Sequence, residues 1–324
     1  MLTQQRIVAL EEHFAIPAIS SRFEGYYKPR PHQPYAKLDD LGNQRIADMN
    51  VAGVDVQVLS HVQPSTQAFD AESAVPLARE ANDRLYEACR AHPDRFAGFA
   101  ALPTADPRAS ADELERCVLK LGFKGAMVSG LTQNAFLDEK RFWPIFERAE
   151  ALDVPIYLHP AIPHQAVVDA WFKDYTNKAG DYPVLMGAAW GFAAETATAA
   201  MRLIISGIFE RHPRLKIILG HMGETIPFHL PRIDRALEHQ LGKSGFADIF
   251  RERFWITTSG LFSTPALLCS MMELGPERIL FSVDYPYGSN EEGVTWLKGA
   301  PISPADKVKI FHANADALLK LTAT

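Results

Sequence analysis

Residues 7–14 read IVALEEHF, four apolar residues that run directly into Glu11, Glu12 and His13. An apolar run of this length is a strand signal, and a continuous rather than alternating run suits a strand covered on both faces. Glu11 and His13 close it as a Glu-x-His pair. The construction recurs. Apolar runs at 54–60, 96–101, 125–129, 155–159, 216–220, 255–259 and 279–284 join 7–11 as predicted strands. His159 closes VPIYL, Asp284 closes LFSV, and His221 follows KIILG. Between the runs lie segments of helical periodicity at 74–92, 109–121, 142–152 and 195–210. In the second of these, Leu114, Cys117, Val118 and Leu121 share one face. Eight short strands alternating with helices predict an α/β fold with parallel strands and helical crossovers, a (β/α)8 TIM barrel.

The stretches 15–40 and 160–187 exceed a minimal barrel. The first is rich in Pro, Tyr and Phe (FEGYYKPRPHQPY, 23–35), and the second is long and aromatic. Both follow strand C-terminal ends, so they are expected as insertions shaping a pocket at the C-terminal face of the barrel. No repeat or linker divides the chain, and residues 1–324 are expected to form a single barrel domain.

Bulk composition narrows the function classes. Hydrophobic residues make up 47% and charged residues 22% of 324, ordinary for a globular protein with a large core. A net charge of −6 without long charge runs argues against nucleic acid or an anionic membrane as partner. Cys89, Cys117 and Cys269 are odd in number and widely spaced, which favours free thiols in a reducing cytoplasm. There is no signal-type h-region or membrane-length apolar run, so a cytoplasmic location is expected. No Gly-rich phosphate loop accompanies a strand, so no organic cofactor is implied.

Glu11 and His13 are two apart and would share one side of an extended chain. With His159 and Asp284 at other strand ends, they predict a divalent-metal site at the barrel mouth, a donor set suited to Zn2+ or Mn2+. Each residue alone has an ordinary explanation: a chance pair, a structural histidine, a helix N-cap. Their common level in the barrel is what argues for a metal. His221 and Glu224 are spaced to let a carboxylate hold one imidazole tautomer, or else to cap the next helix. Arg232, two turns further on, fits either the pocket or a solvated helix face.

The strings ALEEHF (9–14), YLHP (157–160), LGHMGE (219–224), ITTSG (256–260) and FSVDYP (281–286) resemble the amidohydrolase-2 branch of the amidohydrolase superfamily. The likeness extends to PDRFAGFAALP (93–103), LGFKGAMVSG (121–130), the run 195–224 and KIFHANA (309–315). It is nearest to the nonoxidative aromatic acid decarboxylases of the γ-resorcylate (2,6-dihydroxybenzoate) group. The resemblance implies Glu11, His13, His159 and Asp284 as metal ligands. It also implies Asp284, His221, Glu224 and Arg232 as catalytic-site residues and Trp190 in the pocket. The implied cofactor is one divalent ion, Mn2+ ahead of Zn2+ or Mg2+. The implied substrate is a small ortho-hydroxylated benzoic acid, and the implied assembly is a homo-oligomer, a tetramer or dimer. The segment near Tyr26 and Pro31 would serve in that contact or as a pocket lid. The chain has no His-x-His on its first strand and Ser129, not lysine, at the end of its fourth, which disfavours two-metal hydrolases. Ser129 also stands where resorcylate-type relatives commonly carry Asn, and it is a candidate contact to the ring substituents. The alternative is a single-metal hydrolase of a lactone or amide.

Overall fold

A computed structural model of the protein describes residues 5–30, 33–178, 180–242 and 245–321. The strands, all paired in parallel, are β1 (Val8–Phe14), β2 (Val56–His61), β3 (Phe96–Gly98), β4 (Ala100–Ala101), β5 (Ala126–Ser129), β6 (Ile156–His159), β7 (Ile217–Leu219), β8 (Phe254–Thr257) and β9 (Ile279–Leu280). They run in sequence order through two sheets, β1-β2-β3 and β4 to β9. The predicted third strand is divided at Phe99. There the chain changes partner: Phe99 N donates to Leu59 O and Ala100 N to Gly125 O, both at 2.9 Å. On the far side, β9 meets β1 through a bridge between Leu10 and Ser282 and a bond from Leu10 N to Phe281 O at 3.1 Å. The architecture is the expected TIM barrel, with its ladders interrupted at those two seams.

Strand alternation separates two cores. Val8, Leu10, Val58, Met127, Tyr157, Ile218 and Leu280 fill the barrel interior, while Ala9, Leu59, Val128, Leu158 and Leu219 face the surrounding helices. Two residues further along β5, β6 and the chain after β9, the same inward phase reaches Ser129, His159 and Ser282, and two beyond that Asp284. The barrel mouth therefore inherits its polar residues from the same two-residue repeat that fills its floor.

β1 does not follow that repeat. A strand that keeps Val8 and Leu10 inside would send Glu11 outward, against the expectation that Glu11 and His13 reach the mouth by simple alternation. Its register passes from Ala9 opposite Gln57 to Glu12 opposite Leu59, so Leu10 and Glu11 together face the single residue Val58. This is a β-bulge, with Glu11 in the left-handed region at φ 60°. The extra residue reverses the phase and returns Glu11 and His13 to the mouth.

The helices start on local signals. Asp70 accepts from Ser73 N ahead of Ala71–Ala91, and Asp106 from Arg108 N and Ala109 N ahead of Pro107–Leu121. The two long insertions pack on each other. Tyr26 meets Tyr182 edge-on at 4.8 Å, Arg30 lies over the Tyr182 ring at 5.4 Å, and Tyr27 Oη accepts from Ile162 N at 2.6 Å. Pro31 lies outside the described residues. Cys89, Cys117 and Cys269 are unpaired, and no helix among the described residues is long and apolar enough to cross a membrane.

Candidate metal centre

The structure brings Glu11, His13, His159 and Asp284 together, with one donor atom from each lying within 4.8 Å of the others. His13 Nε2 is 3.2 Å from Asp284 Oδ1, and His159 Nε2 is 3.2 Å from Glu11 Oε1. Donor atoms about 3 Å apart are what metal bonds of roughly 2.1 Å at near-octahedral or tetrahedral angles produce. His159 Nδ1 is 2.8 Å from the Pro160 carbonyl, a contact that requires an N–H on Nδ1. The other nitrogen of the neutral ring then turns a lone pair toward a carboxylate oxygen. Glu11 Oε1 and His13 Nε2 are buried without hydrogen-bond partners. Lone pairs in such apposition call for a cation between them, so the residues fit a divalent ion.

Small residues and hydrogen bonds hold these donors in place. A Cβ on Gly220 would stand 2.8 Å from Glu11 Oε2, and one on Gly260 3.2 Å from Asp284 Oδ2. Tyr157 donates its hydroxyl proton to Glu11 Oε2, and Thr257 Oγ1 reaches the same oxygen at 3.3 Å. Ser60 Oγ contacts His13 Nδ1 at 3.2 Å. Such contacts orient ligands and tune their basicity. Tyr157, Thr257 and Ser60 were not singled out in the sequence, although each lies on a predicted strand.

His221 and Glu224 form the expected pair, Nδ1 to Oε1 at 2.7 Å, with Nε2 directed at Glu11 Oε1 (3.5 Å) and Asp284 Oδ2 (3.9 Å). The connecting turn is left-handed: φ is 47° at His221, 56° at Met222, 76° at Gly223, 53° at Glu224 and 68° at Thr225. Left-handed backbone costs about 1–2 kcal/mol at each residue bearing a Cβ, and strain of this kind concentrates at functional sites. Asp284 is left-handed as well, at φ 69°. Nothing in the string HMGE signals this beyond its single glycine.

Charge follows the geometry. Burial lowers His13. Burial would also lower His221, but the carboxylates of Glu224, Glu11 and Asp284 outweigh it and hold the ring well above its ordinary value. For Asp284, burial acts upward and is overcome by the His13 and His221 imidazoles beside it, which keep the carboxyl well below the usual range. Asp284 and His221 are also the members that open to solvent, with side chains 19% and 25% exposed, so a substrate would meet them first.

The remaining candidates divide. Ser129 is buried, its Oγ has no partner, and it lines a cavity of about 250 Å3 with Tyr27, Gln67, Ala161 and Ile162. Trp190 is 48% exposed at the start of the helix Gly191–Ile205, so it is neither core nor a wall of that cavity. Arg232 is exposed on the helix Ile226–Leu241, one turn from Phe228, which is 75% exposed. Ile226 and Leu230 take the inward face of that helix, which turns Arg232 away from the His221–Glu224 pair of its own chain.

Glu195, on the helix behind His159, is a carboxyl the sequence did not single out. It is 5% exposed, Oε1 has no partner, and burial pushes it up to about 8, aided by the charge of Glu224. An acid raised on folding is protonated in the folded chain while ionised in the unfolded one. Stability is therefore expected to fall as pH rises from 4.5, the ordinary glutamate value, through about 8. Glu195→Gln should flatten that decline. Relative to wild type it should gain about 2–4 kcal/mol at pH 8.5 and far less at pH 5, by urea unfolding at both pH values.

Comparison with known proteins gives a consistent picture. The amidohydrolase family model matches residues 27–321. The chain is 42% identical to a gamma-resorcylate decarboxylase of Rhizobium sp. (strain MTP-10005), covering 97% of this chain and 98% of the relative. Its structure is similar to that of a 2,6-dihydroxybenzoate decarboxylase from Rhizobium, with a TM-score of 0.86, 40% identity and coverage of 98% and 99%. It is also similar to a dihydroxybenzoic acid decarboxylase from Polaromonas sp. JS666 with bound manganese and the inhibitor 2-nitroresorcinol. For that pair the TM-score is 0.88, the identity 38% and the coverage 99% and 98%.

Proposed function

We propose, from the premise that this chain belongs to the amidohydrolase family, that it is a metal-dependent nonoxidative decarboxylase of an ortho-hydroxylated benzoic acid. The observation that carries this reading is the cluster of Glu11, His13, His159 and Asp284 at the mouth of a barrel matched end to end by relatives of that activity. Manganese is the ion proposed, because the Polaromonas relative holds it and a mixed imidazole and carboxylate set suits it.

Bound by those four residues, the ion supplies fixed positive charge that anchors an anionic phenolic acid and eases ionisation of its hydroxyl. The chain's own groups then handle the protons. Direct loss of CO2 would leave an aryl anion in the ring plane, which the ring cannot stabilise. Protonation of the carbon bearing the carboxylate avoids that anion. Asp284, held ionised by His13 and His221, takes the proton of the ortho hydroxyl as the acid binds. It then delivers this proton to the ring carbon. One C–H bond forms and one C–C bond breaks, and the released electron pair restores the aromatic ring as CO2 departs. The phenolate still lacks a proton, which His221, held by Glu224 and reaching toward Asp284, returns from solvent. Ser129 Oγ, buried and unpartnered beside His159, is placed to meet a ring substituent. Arg232 and Trp190 are both exposed within one chain and lie outside the metal cluster.

The proposal extends to a cytoplasmic homo-oligomer, a dimer or tetramer, for which the exposed Phe228 and Met272 offer apolar contact surface. The activity is tested by incubating the manganese-loaded protein with 2,6-dihydroxybenzoate and with salicylate while following CO2 and the phenol. In concentrated bicarbonate the same protein should carboxylate resorcinol. Absence of CO2 from every ortho-hydroxybenzoate would refute the reading, and lactone or amide hydrolysis in its place would establish the alternative.

A further inference from the structure

The seam between β1 and the chain after β9 carries both Glu11 and Asp284, and both are left-handed, at φ 60° and 69°. A regular parallel ladder cannot pass through two such residues, because each turns its amide and carbonyl out of register. Backbone bonding across the seam is confined to its two ends: Leu10 N to Phe281 O at 3.1 Å and His13 N to Tyr285 O at 2.7 Å. Between them the amides of Val283 and Tyr285, which flank Asp284, make no short, well-aligned bond to a carbonyl of β1. A buried amide left so would cost free energy comparable to a lost hydrogen bond.

Glu12 fills that gap. Its side chain is fully buried, and its two oxygens divide between the two amides: Oε1 accepts from Val283 N and Oε2 from Tyr285 N, each at 2.9 Å. The carboxyl group thus supplies the acceptors that the interrupted ladder does not and brackets Asp284 from both sides. The next residue is fixed from outside the barrel. Arg45, also fully buried, donates from Nη2 to His13 O at 2.5 Å and from Nη1 to Gln57 Oε1 at 3.2 Å. Its guanidinium lies 4.8 Å from the centre of the Tyr285 ring.

We infer that Glu12 is a positioning residue for Asp284: by holding the two amides that flank it, the Glu12 carboxylate sets where the Asp284 carboxylate sits in the metal centre. This rests on the reading of that centre as a metal site. It goes beyond that reading by giving the neighbour of a ligand a separate role. The claim differs from simple barrel closure because it predicts a loss in metal affinity out of proportion to any loss in stability.

The test replaces Glu12 by its isostere. In Glu12→Gln one carbonyl oxygen remains, and an NH2 group is set against an amide N–H that it cannot satisfy. Expected are a folded protein, Mn2+ affinity lowered about 10- to 100-fold, the range for residues that orient metal ligands, and kcat lowered at least about tenfold with KM changed much less. Glu113→Gln serves as control, since Glu113 is buried in a network with Asn82 and Arg116 and lies outside the metal cluster. It should lower the melting temperature while leaving Mn2+ affinity unchanged. Wild-type Mn2+ affinity in Glu12→Gln, with or without a lower melting temperature, would overturn the inference. Should Glu12→Gln fail to fold, Glu12→Asp decides. Its carboxylate is withdrawn by one methylene, and an intermediate loss of affinity is expected, with wild-type affinity again refuting the role. Because Mn2+ affinity is measured without substrate, failure of this inference is distinct from failure of the decarboxylase reading. A protein that binds Mn2+ tightly yet releases no CO2 leaves the Glu12 comparison fully readable.

Discussion

Asp284→Asn is expected to lower kcat for decarboxylation by roughly 10³- to 10⁴-fold, toward the upper range for loss of a proton-transfer group, while manganese stays largely bound. Asparagine keeps the shape of the side chain and one oxygen donor, but it cannot accept a proton from the substrate hydroxyl. Glu11, His13 and His159 are untouched and should retain the ion, because each has its own support in Tyr157, Ser60 and the Pro160 carbonyl. Single-turnover CO2 release, together with metal content by elemental analysis, separates the two effects. Turnover near the wild-type rate would remove Asp284 from its role as proton carrier. Loss of the metal would instead make it chiefly a ligand.

Chelation is the second large effect. Exhaustive treatment with a strong chelator should abolish CO2 release, and added Mn2+ should restore it. The metal-free protein should also be less stable. Glu11 Oε1 and His159 Nε2 face each other at 3.2 Å, and the mouth collects two carboxylates and two imidazoles in a mostly buried space. A ligand present at about 1,000 times its Kd stabilises a fold by about 4 kcal/mol, which in a chain of this size is a rise in melting temperature of roughly 5–15 °C. Calorimetry with and without Mn2+ measures it. An unchanged melting temperature combined with full activity after chelation would exclude the metal centre.

The ease of reading the four ligands from the sequence has a physical basis. His159 and Asp284 lie on the inward phase of runs whose apolar residues already fill the barrel, at Tyr157 and Leu280, so an ionisable group there must point into the mouth. The His221–Glu224 pair was legible from spacing, but its left-handed turn was not. Trp190 and Arg232 sit in strings that read like pocket residues, and within one chain both are exposed. Glu12 and Glu195 escaped attention because their significance depends on what surrounds them. One is bound by amides more than 270 residues away, and the other is raised by burial and by the charge of Glu224.

The amino-acid sequence by itself determined the alternation of apolar runs and amphipathic helices, and with it the parallel barrel and the ionisable groups at its strand ends. These follow from periodicities of two and 3.6 residues, which are local properties of the chain. Tertiary structure alone decided the phase of β1. Without the bulge at Glu11 the alternation that seats Val8 and Leu10 inside would place Glu11 outside, and a shift of one residue exchanges the two faces of a strand. Left-handed backbone at Glu11, His221, Glu224 and Asp284 is unfavourable locally and exists because distant groups hold it there. Glu12 across the seam and Gly220 and Gly260 beside the carboxylates are such groups, and no short window of sequence contains both a strained residue and all that restrains it.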